Sequence, residues 1–396
     1  MVRCVLILSL LLATANVAAQ SPAHPEAKPE SDLQHVWQMQ DSGTTASLRG
    51  IDSVDGKVAW ASGTEGAVLK TTDGGAHWTK CAVPDGDKDG ATLDFRGVQA
   101  WDAMTAIVMA SGSGEKSRLY KTEDGCSHWT LLYTNPDKTG FWDGISFWDR
   151  SNGLLLGDPT ETLYSTPVDG SLNRRHLELT VFFTVDGGTT WTRQAYWTES
   201  PLAVGGLQDS AAFAASNSSL AVVGHSAWIG TGGKKGPHIL AGDSYNVSPP
   251  GVLCDCVPMP PHTIWFTHSI PVPLTGGNES SGIFSLHFRD LQHGSVVGGD
   301  YTKPNESAGT AAWTADRGEH WTVSTIPPHG YRSTVQWSES EKLWITSGTN
   351  GSDISRDDGG TWQPLDNGNW NALSLPFIVG PKGRIARLNA SALPRP

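Results

Sequence analysis

The 396-residue chain is short of several things, and each shortage excludes a class of protein. Charged residues are only 17% of it, and the formal net charge of −12 leaves no excess of basic side chains for nucleic acid or an anionic membrane. Sustained helical periodicity is missing, which argues against bundles and coiled coils. Long apolar runs are missing too. The only candidate, Val5 to Ala13, is too short to cross a bilayer. There is no Walker-type loop, no His-Glu-x-x-His, no Gly-x-Ser-x-Gly and no dinucleotide fingerprint, so the common phosphate, zinc and serine-hydrolase chemistries lack their signatures. No cofactor is expected. Cysteines number five, and Cys254-Asp255-Cys256 with His262 and His268 fits no zinc spacing; no metal is expected either.

Glycine (45) and tryptophan (17) are abundant, and an eight-residue pattern recurs, Ser/Thr-x-Asp-x-Gly-x-x-Trp. Its copies carry Asp73 and Trp78, Asp186 and Trp191, Asp316 and Trp321, and Asp357 and Trp362. A fifth copy, with Asp124 and Trp129, has Cys126 in place of the glycine. The chemistry is that of a turn. The short carboxylate accepts N–H groups of the loop behind it, the glycine supplies a backbone conformation other residues avoid, and the Trp restarts an apolar strand. These aspartates are therefore read as structural rather than catalytic.

Between the copies, seven segments start alike: Leu48-Arg49-Gly50-Ile51, Phe95-Arg96-Gly97-Val98, Trp142-Asp143-Gly144-Ile145, Gln208-Asp209-Ser210-Ala211, Ile283-Phe284-Ser285-Leu286, Tyr331-Arg332-Ser333-Thr334 and Trp370-Asn371-Ala372-Leu373. A second apolar strand follows each within a dozen or so residues. The unit from Gln208 lacks the eight-residue pattern and carries an insertion from Lys234 to Pro261. The unit from Trp370 stops after two strands, and the strand-like His35 to Gln40 is free to complete it. The expected fold is all-β, a seven-bladed β-propeller of four-stranded blades, its ring closed by the N-terminal strand joining the last blade.

Residues 1–19 read as a signal peptide, 20–33 as a flexible leader, 34–391 as one propeller and 392–396 as a tail, so an exported protein, periplasmic or secreted, is expected. Export permits disulfides. Cys81 and Cys126 lie on neighbouring blades, and a bridge between them is one possible pairing among Cys81, Cys126, Cys254 and Cys256. Asp85, Asp87 and Asp89 imitate the first half of a calcium loop, but Arg96 stands where the bidentate glutamate belongs, and the run reads as an acidic turn.

Propeller topology puts the start of each inner strand and the end of each second strand on one face, with the eight-residue turns on the other. The first set brings Arg49, Arg96, Asp143, Asp209, Phe284, Arg332 and Asn371; the second brings Asp158, His225 and Asp300. Trp142, Trp228, Tyr301 and Tyr331 stand nearby. Arg49, Arg96, Arg332, Asp143, Asp158, His225, Asp300 and Tyr331 are the candidate ligand- or partner-binding residues. Arginine forks suit carboxylates, although the same residues could pair with each other across blades.

The eight-residue Asp-box and the Leu-Arg-Gly-Ile and Phe-Arg-Gly-Val starts resemble the photosystem II stability/assembly factors and their bacterial BNR or YCF48-like relatives, over roughly residues 36–388. The resemblance implies a seven-bladed propeller that acts as a non-enzymatic scaffold; a monomer is expected. It would hold a protein partner, such as a membrane-protein subunit, through an arginine patch; Arg49, Arg96 and Arg332 are the positions that match. The competing reading is a sialidase-like glycoside hydrolase acting on a glycan, since sialidases share the Asp-box. Phe95-Arg96-Gly97-Val98 lacks the Ile and Pro of their motif, and no Tyr–Glu pair can be assigned.

Overall fold

Short runs of buried apolar residues, alternating with turns rich in glycine and aspartate, build the chain as antiparallel hairpins. The computed structural model describes residues 36–165, 172–193, 210–244 and 264–395. The segments read as signal peptide and leader lie outside the described residues, as do Cys254, Cys256, His262 and Asp209. Among the described residues there is no α-helix, and no helix is long and apolar enough to cross a membrane.

Seven sheets result. Blade one consists, from the channel outward, of Leu48–Ser53, Ala59–Gly63, Val68–Thr71 and Thr79–Lys80. Blades two and three start from Phe95–Ala100 and Trp142–Phe147, blade five from Ser281–Phe288 and blade six from Thr334–Ser338. Blade seven has three strands of its own, Ala372–Ser374, Phe377–Val379 and Ile385–Leu388, one more than the sequence suggested. Its fourth is the N-terminal Trp37–Gln40, paired from Trp37 opposite Leu388 to Gln40 opposite Ile385. The core is divided among seven apolar clusters, one in each gap between successive blades, including the gap between blades seven and one, where Phe377 and Val379 meet Leu48 and Leu69. A ring closed by packing at all seven gaps leaves no blade face in water.

The five Asp-box turns repeat one hydrogen-bond pattern. The hydroxyl of Thr71, Thr122, Thr184, Thr314 or Ser355 donates to the aspartate two residues on at 2.8–3.0 Å. The same oxygen accepts the N–H four residues on at 2.9–3.0 Å. The aspartate in turn accepts the N–H of His77, His128, Thr190, His320 or Thr361 at 2.8–3.0 Å. Every carboxylate is thus consumed by its own turn. Gly75 holds φ +85° at the position that needs it, and Cys126 holds φ +74° at the same place in blade two while bonded to Cys81 of blade one.

Blade four departs from the expectation. Its inner strand is Leu220–Val223, followed by Ser226–Gly230, His238–Ser244 and Ile264–Pro271. Ser210–Ala211, expected to begin that blade, instead joins the channel side of blade five through Gly232–Gly233. The segment between them, Ala212 to Ser219, crosses the central channel. Ser216 donates to the carbonyl of Ser333 at 2.6 Å on blade six, and the carbonyl of Ser218 accepts the Leu286 N–H at 2.8 Å on blade five. Asn217 accepts the Ile145 N–H at 2.8 Å on blade three and reaches the Val98 carbonyl of blade two at 3.4 Å. At Asn217 the segment lies close against blade two. A Cβ on Gly97 would meet the Asn217 amide oxygen at 2.8 Å.

Candidate functional site

The inner strands of blades one, two, three and five each carry a bulge near their start. The pairing skips Arg49 between Leu48 and Gly50, Arg96 between Phe95 and Gly97, Asp143 between Trp142 and Gly144, and Phe284 between Ile283 and Ser285. A bulged residue leaves the ladder, and its side chain is re-aimed. All four skipped side chains line one cavity of about 450 Å³ at the mouth of the channel. The crossing segment is its floor, supplying Ala212, Phe213, Ala214 and Ala215. The cavity is therefore a cup and not a pore.

One wall is aromatic. Phe213 stacks on Phe284 at 4.0 Å between centroids, Tyr331 meets Phe284 edge-on at 4.9 Å, and Tyr301 stands at the rim, 52% exposed. Burial pushes the Tyr331 phenol far above its ordinary range. The opposite wall is charged. Arg96 donates through Nε to Asp94 at 2.8 Å and lies over the Phe141 ring, while Arg49 stands 3.7 Å from the same carboxylate. Arg49 Nε is buried without a hydrogen-bond partner. Burial first, then the neighbouring Arg96, make its positive charge less favourable than usual. Two guanidiniums therefore share one carboxylate, and the surplus positive charge faces the cup.

Blade three closes the charged wall with two acids. Asp143 is 1% exposed, and Asp158 lies midway along the second strand, Gly153–Ser165, where the pairing with the third strand skips from Gly157 to Thr160. Both grip the floor: Asp143 accepts the Ala214 N–H and Asp158 the Ala212 N–H, while Arg96 donates to the Ala214 carbonyl at 3.4 Å. Burial pushes Asp158 up to about 6. It pushes Asp143 well above the usual carboxylate range, helped by Asp158 and opposed by Arg96. The second oxygen of Asp143 has no hydrogen-bond partner.

The structure thus brings Arg49, Arg96, Asp143, Asp158 and Tyr331 together and takes three other candidates elsewhere. The inner strand of blade six pairs with its neighbour without a bulge and begins at Thr334, and Arg332 turns away from the cup. It is fully buried, donating to Asp353 at 2.7 Å, to the Tyr331 carbonyl at 2.7 Å and to Asn350 at 2.6 Å. Asp300 organises the loop at the rim of blade five. Burial would raise its carboxyl, but hydrogen bonds from Thr302, Ser280 and Asn278 hold it at about 2. His225 falls in the two-residue hairpin between Val223 and Ser226, on the Asp-box face, because blade four starts later than expected. Asp85 and Asp89, from the calcium-like run, are held by the Tyr120 hydroxyl and by both terminal nitrogens of Arg118. Sequence reading missed Asp94, Phe141 and the whole floor. The run Ala211-Ala212-Phe213-Ala214-Ala215, too small and too unpatterned for a blade strand, was the available signal.

No protein-family profile matches the chain. The photosystem II assembly lipoprotein Ycf48 of Synechococcus sp. (strain CC9902) is 22% identical over 373 residues, covering 90% of this chain and 89% of that one. Among solved structures, YCF48 bound to D1 peptide superposes with a TM-score of 0.55 and 16% identity, covering 92% of this chain and 98% of the other. YCF48 from Cyanidioschyzon merolae gives 0.55 and 15%, covering 90% and 99%. The chain is a YCF48-like seven-bladed propeller.

Proposed function

We propose that this protein is a non-enzymatic assembly scaffold that takes an acidic segment of a protein partner, such as a membrane-protein subunit, into the cup. The observation that carries the reading is the shared carboxylate: Arg49 and Arg96 face the cavity with Asp94 as their common counter-ion, and the buried Arg49 Nε has no acceptor. A ligand carboxylate pairs with the part-exposed ends of the two guanidiniums, and the aromatic wall takes an adjacent apolar side chain. The solved neighbour that holds a D1 peptide on the same fold supports a polypeptide as the occupant. The hydrolase reading has less to stand on. Only two of the three arginines line the cup, and burial holds the Tyr331 phenol there neutral. The Cys81–Cys126 bridge supports an exported protein, since such bonds persist in oxidising compartments.

The test is a pull-down from solubilised cell envelope with the wild type and Arg49→Ala/Arg96→Ala as baits, after matching their melting curves. A membrane-protein subunit retained by the wild type and lost by the variant is the expected result. Retention of the same proteins by both would remove the cup from the function.

A further inference from the structure

The acids of blade three are difficult to explain as structure alone. Asp143 and Asp158 sit beside one another in a low-dielectric wall, where ionising both is unfavourable. Their bonds to the floor do not require charge, because a neutral carboxyl accepts the Ala212 and Ala214 N–H groups through its carbonyl oxygen as well. What their charge does change is the cup. Its other ionisable neighbours are few. Blade one contributes Arg49, blade two Asp94 and Arg96, and blade six Tyr331; Tyr301 and Glu279 come from the loops of blade five, with Glu279 paired to Lys234 at 2.8 Å. Asn371 of blade seven and the floor residues Ala212 to Ala215 carry no charge. With both acids neutral, two guanidiniums against Asp94 leave the cup one net positive charge. With both ionised it carries one net negative charge. The sign reverses with no change of backbone.

We propose that Asp143 and Asp158 are the charge selector of the cup: in their neutral form they admit an acidic ligand to Arg49 and Arg96, and in their ionised form they exclude it. This rests on the reading of the cup as an acidic-peptide site. Ligand carboxylates and the two acids compete for the same pair of guanidiniums, so binding an anion is coupled to holding protons on blade three. Asp143 is the deeper group and Asp158 the one nearer water, which makes Asp158 the residue that titrates first.

The test uses the full chain and a tetraglutamate peptide labelled with tetramethylrhodamine, whose carboxylates stay ionised between about pH 5.5 and 8.5. Fluorescence anisotropy gives its Kd for the wild type, Asp158→Asn and Asp143→Asn/Asp158→Asn across that window. The wild type should bind at low pH and weaken by up to about tenfold per pH unit above the Asp158 transition near 6. Asp158→Asn should flatten the first part of that profile and the double variant nearly all of it, with tight binding retained at high pH. A tetralysine probe should show the inverse trend with the wild type. Should the double variant fail to fold, Asp158→Asn alone decides the matter, since its side chain is partly exposed. Tetraglutamate binding whose pH profile is unchanged by these substitutions overturns the inference while leaving the acidic-ligand reading intact. No tetraglutamate binding at any pH overturns both.

Discussion

Arg332 and Asp353 form an ion pair with no solvent exposure on either side chain, Nε donating to Oδ2 at 2.7 Å. Burial alone would push the Asp353 carboxyl up; Arg332, with His329 on the other oxygen, holds it below the usual carboxylate range. Asn350 completes the cluster and links it to the Pro304 carbonyl of blade five. This arginine therefore ties blade six to its neighbour and has no fork left for a ligand.

Removing one partner strands the other charge, so Arg332→Ala should cost about 3–5 kcal/mol in urea unfolding. The paired change Arg332→Met/Asp353→Leu removes both charges and should recover most of that loss. Binding of an acidic probe by the paired variant should match the wild type. Lost binding in a variant of wild-type stability would return Arg332 to the site.

The blade-three acids give a stability prediction with a definite sign. Asp158 has a folded pKa of about 6, above its unfolded value. Its contribution is fully present below the unfolded value, near 4, and is lost as pH rises through 6. At pH 8 the ionised, partly buried carboxylate costs on the order of 1–2 kcal/mol. Asp158→Asn keeps an acceptor for the Ala212 N–H without the charge, so it should be more stable than the wild type at pH 8 and equal to it below about pH 4. Urea titrations at the two pH values measure this. Equal stability at pH 8 would mean that the carboxylate is comfortably solvated.

How much of this was legible in the sequence follows from where local patterning decides structure. The Asp-box turns satisfy their own hydrogen bonds within eight residues, so Asp73, Asp186 and Asp357 announce them without tertiary help. The closing strand Trp37–Gln40 was legible because an incomplete last blade requires a partner. Blade four departs from the expectation because Leu220-Ala221-Val222, which by its distance from Gln208 falls where a second strand belongs, is the blade's inner strand. The hairpin after it is a two-residue turn at Gly224-His225, with φ +59° at Gly224, far shorter than the corresponding turns of blades one and two. Arg332 was misplaced for a different reason. Tyr331-Arg332-Ser333 looks like Leu48-Arg49-Gly50, but the bulge that turns Arg49 inward is a property of strand pairing and leaves no mark in the tetrapeptide.

Cys126 puts a non-glycine residue where the other four boxes have glycine, and its φ of +74° carries a cost of about 1–2 kcal/mol. The bond to Cys81, across 45 residues of sequence, offsets it with about 2–4 kcal/mol. Cys81→Ala, which leaves Cys126 in the strained turn with no bridge, should therefore be less stable than Cys81→Ala/Cys126→Gly, although the double variant has the emptier site. Thermal unfolding of the two under reducing conditions makes the comparison. The reverse order would show that packing of the Cys126 side chain outweighs its backbone strain.

The floor of the cup hangs on Asn217. Its amide oxygen accepts the Ile145 N–H at 2.8 Å, its nitrogen donates to the Ile145 carbonyl at 3.1 Å, and its backbone holds φ +62°. Two effects are thus combined in one residue, and two substitutions separate them. Asn217→Gly keeps the backbone conformation and loses the side-chain bonds, leaving the Ile145 N–H without its acceptor at a cost of about 1–3 kcal/mol. Asn217→Ala adds the left-handed backbone penalty, a further 1 kcal/mol or so. Hydrogen exchange locates the damage. In Asn217→Gly the Ile145 amide should lose protection while Val108, paired inside blade two with Tyr120, keeps its own. Because the floor positions Ala212 and Ala214 against the blade-three acids, loosening it should also weaken an acidic probe at the cup. A variant with an unprotected Ile145 amide and undiminished binding would show that Arg49 and Arg96 hold their ligand without a floor beneath it.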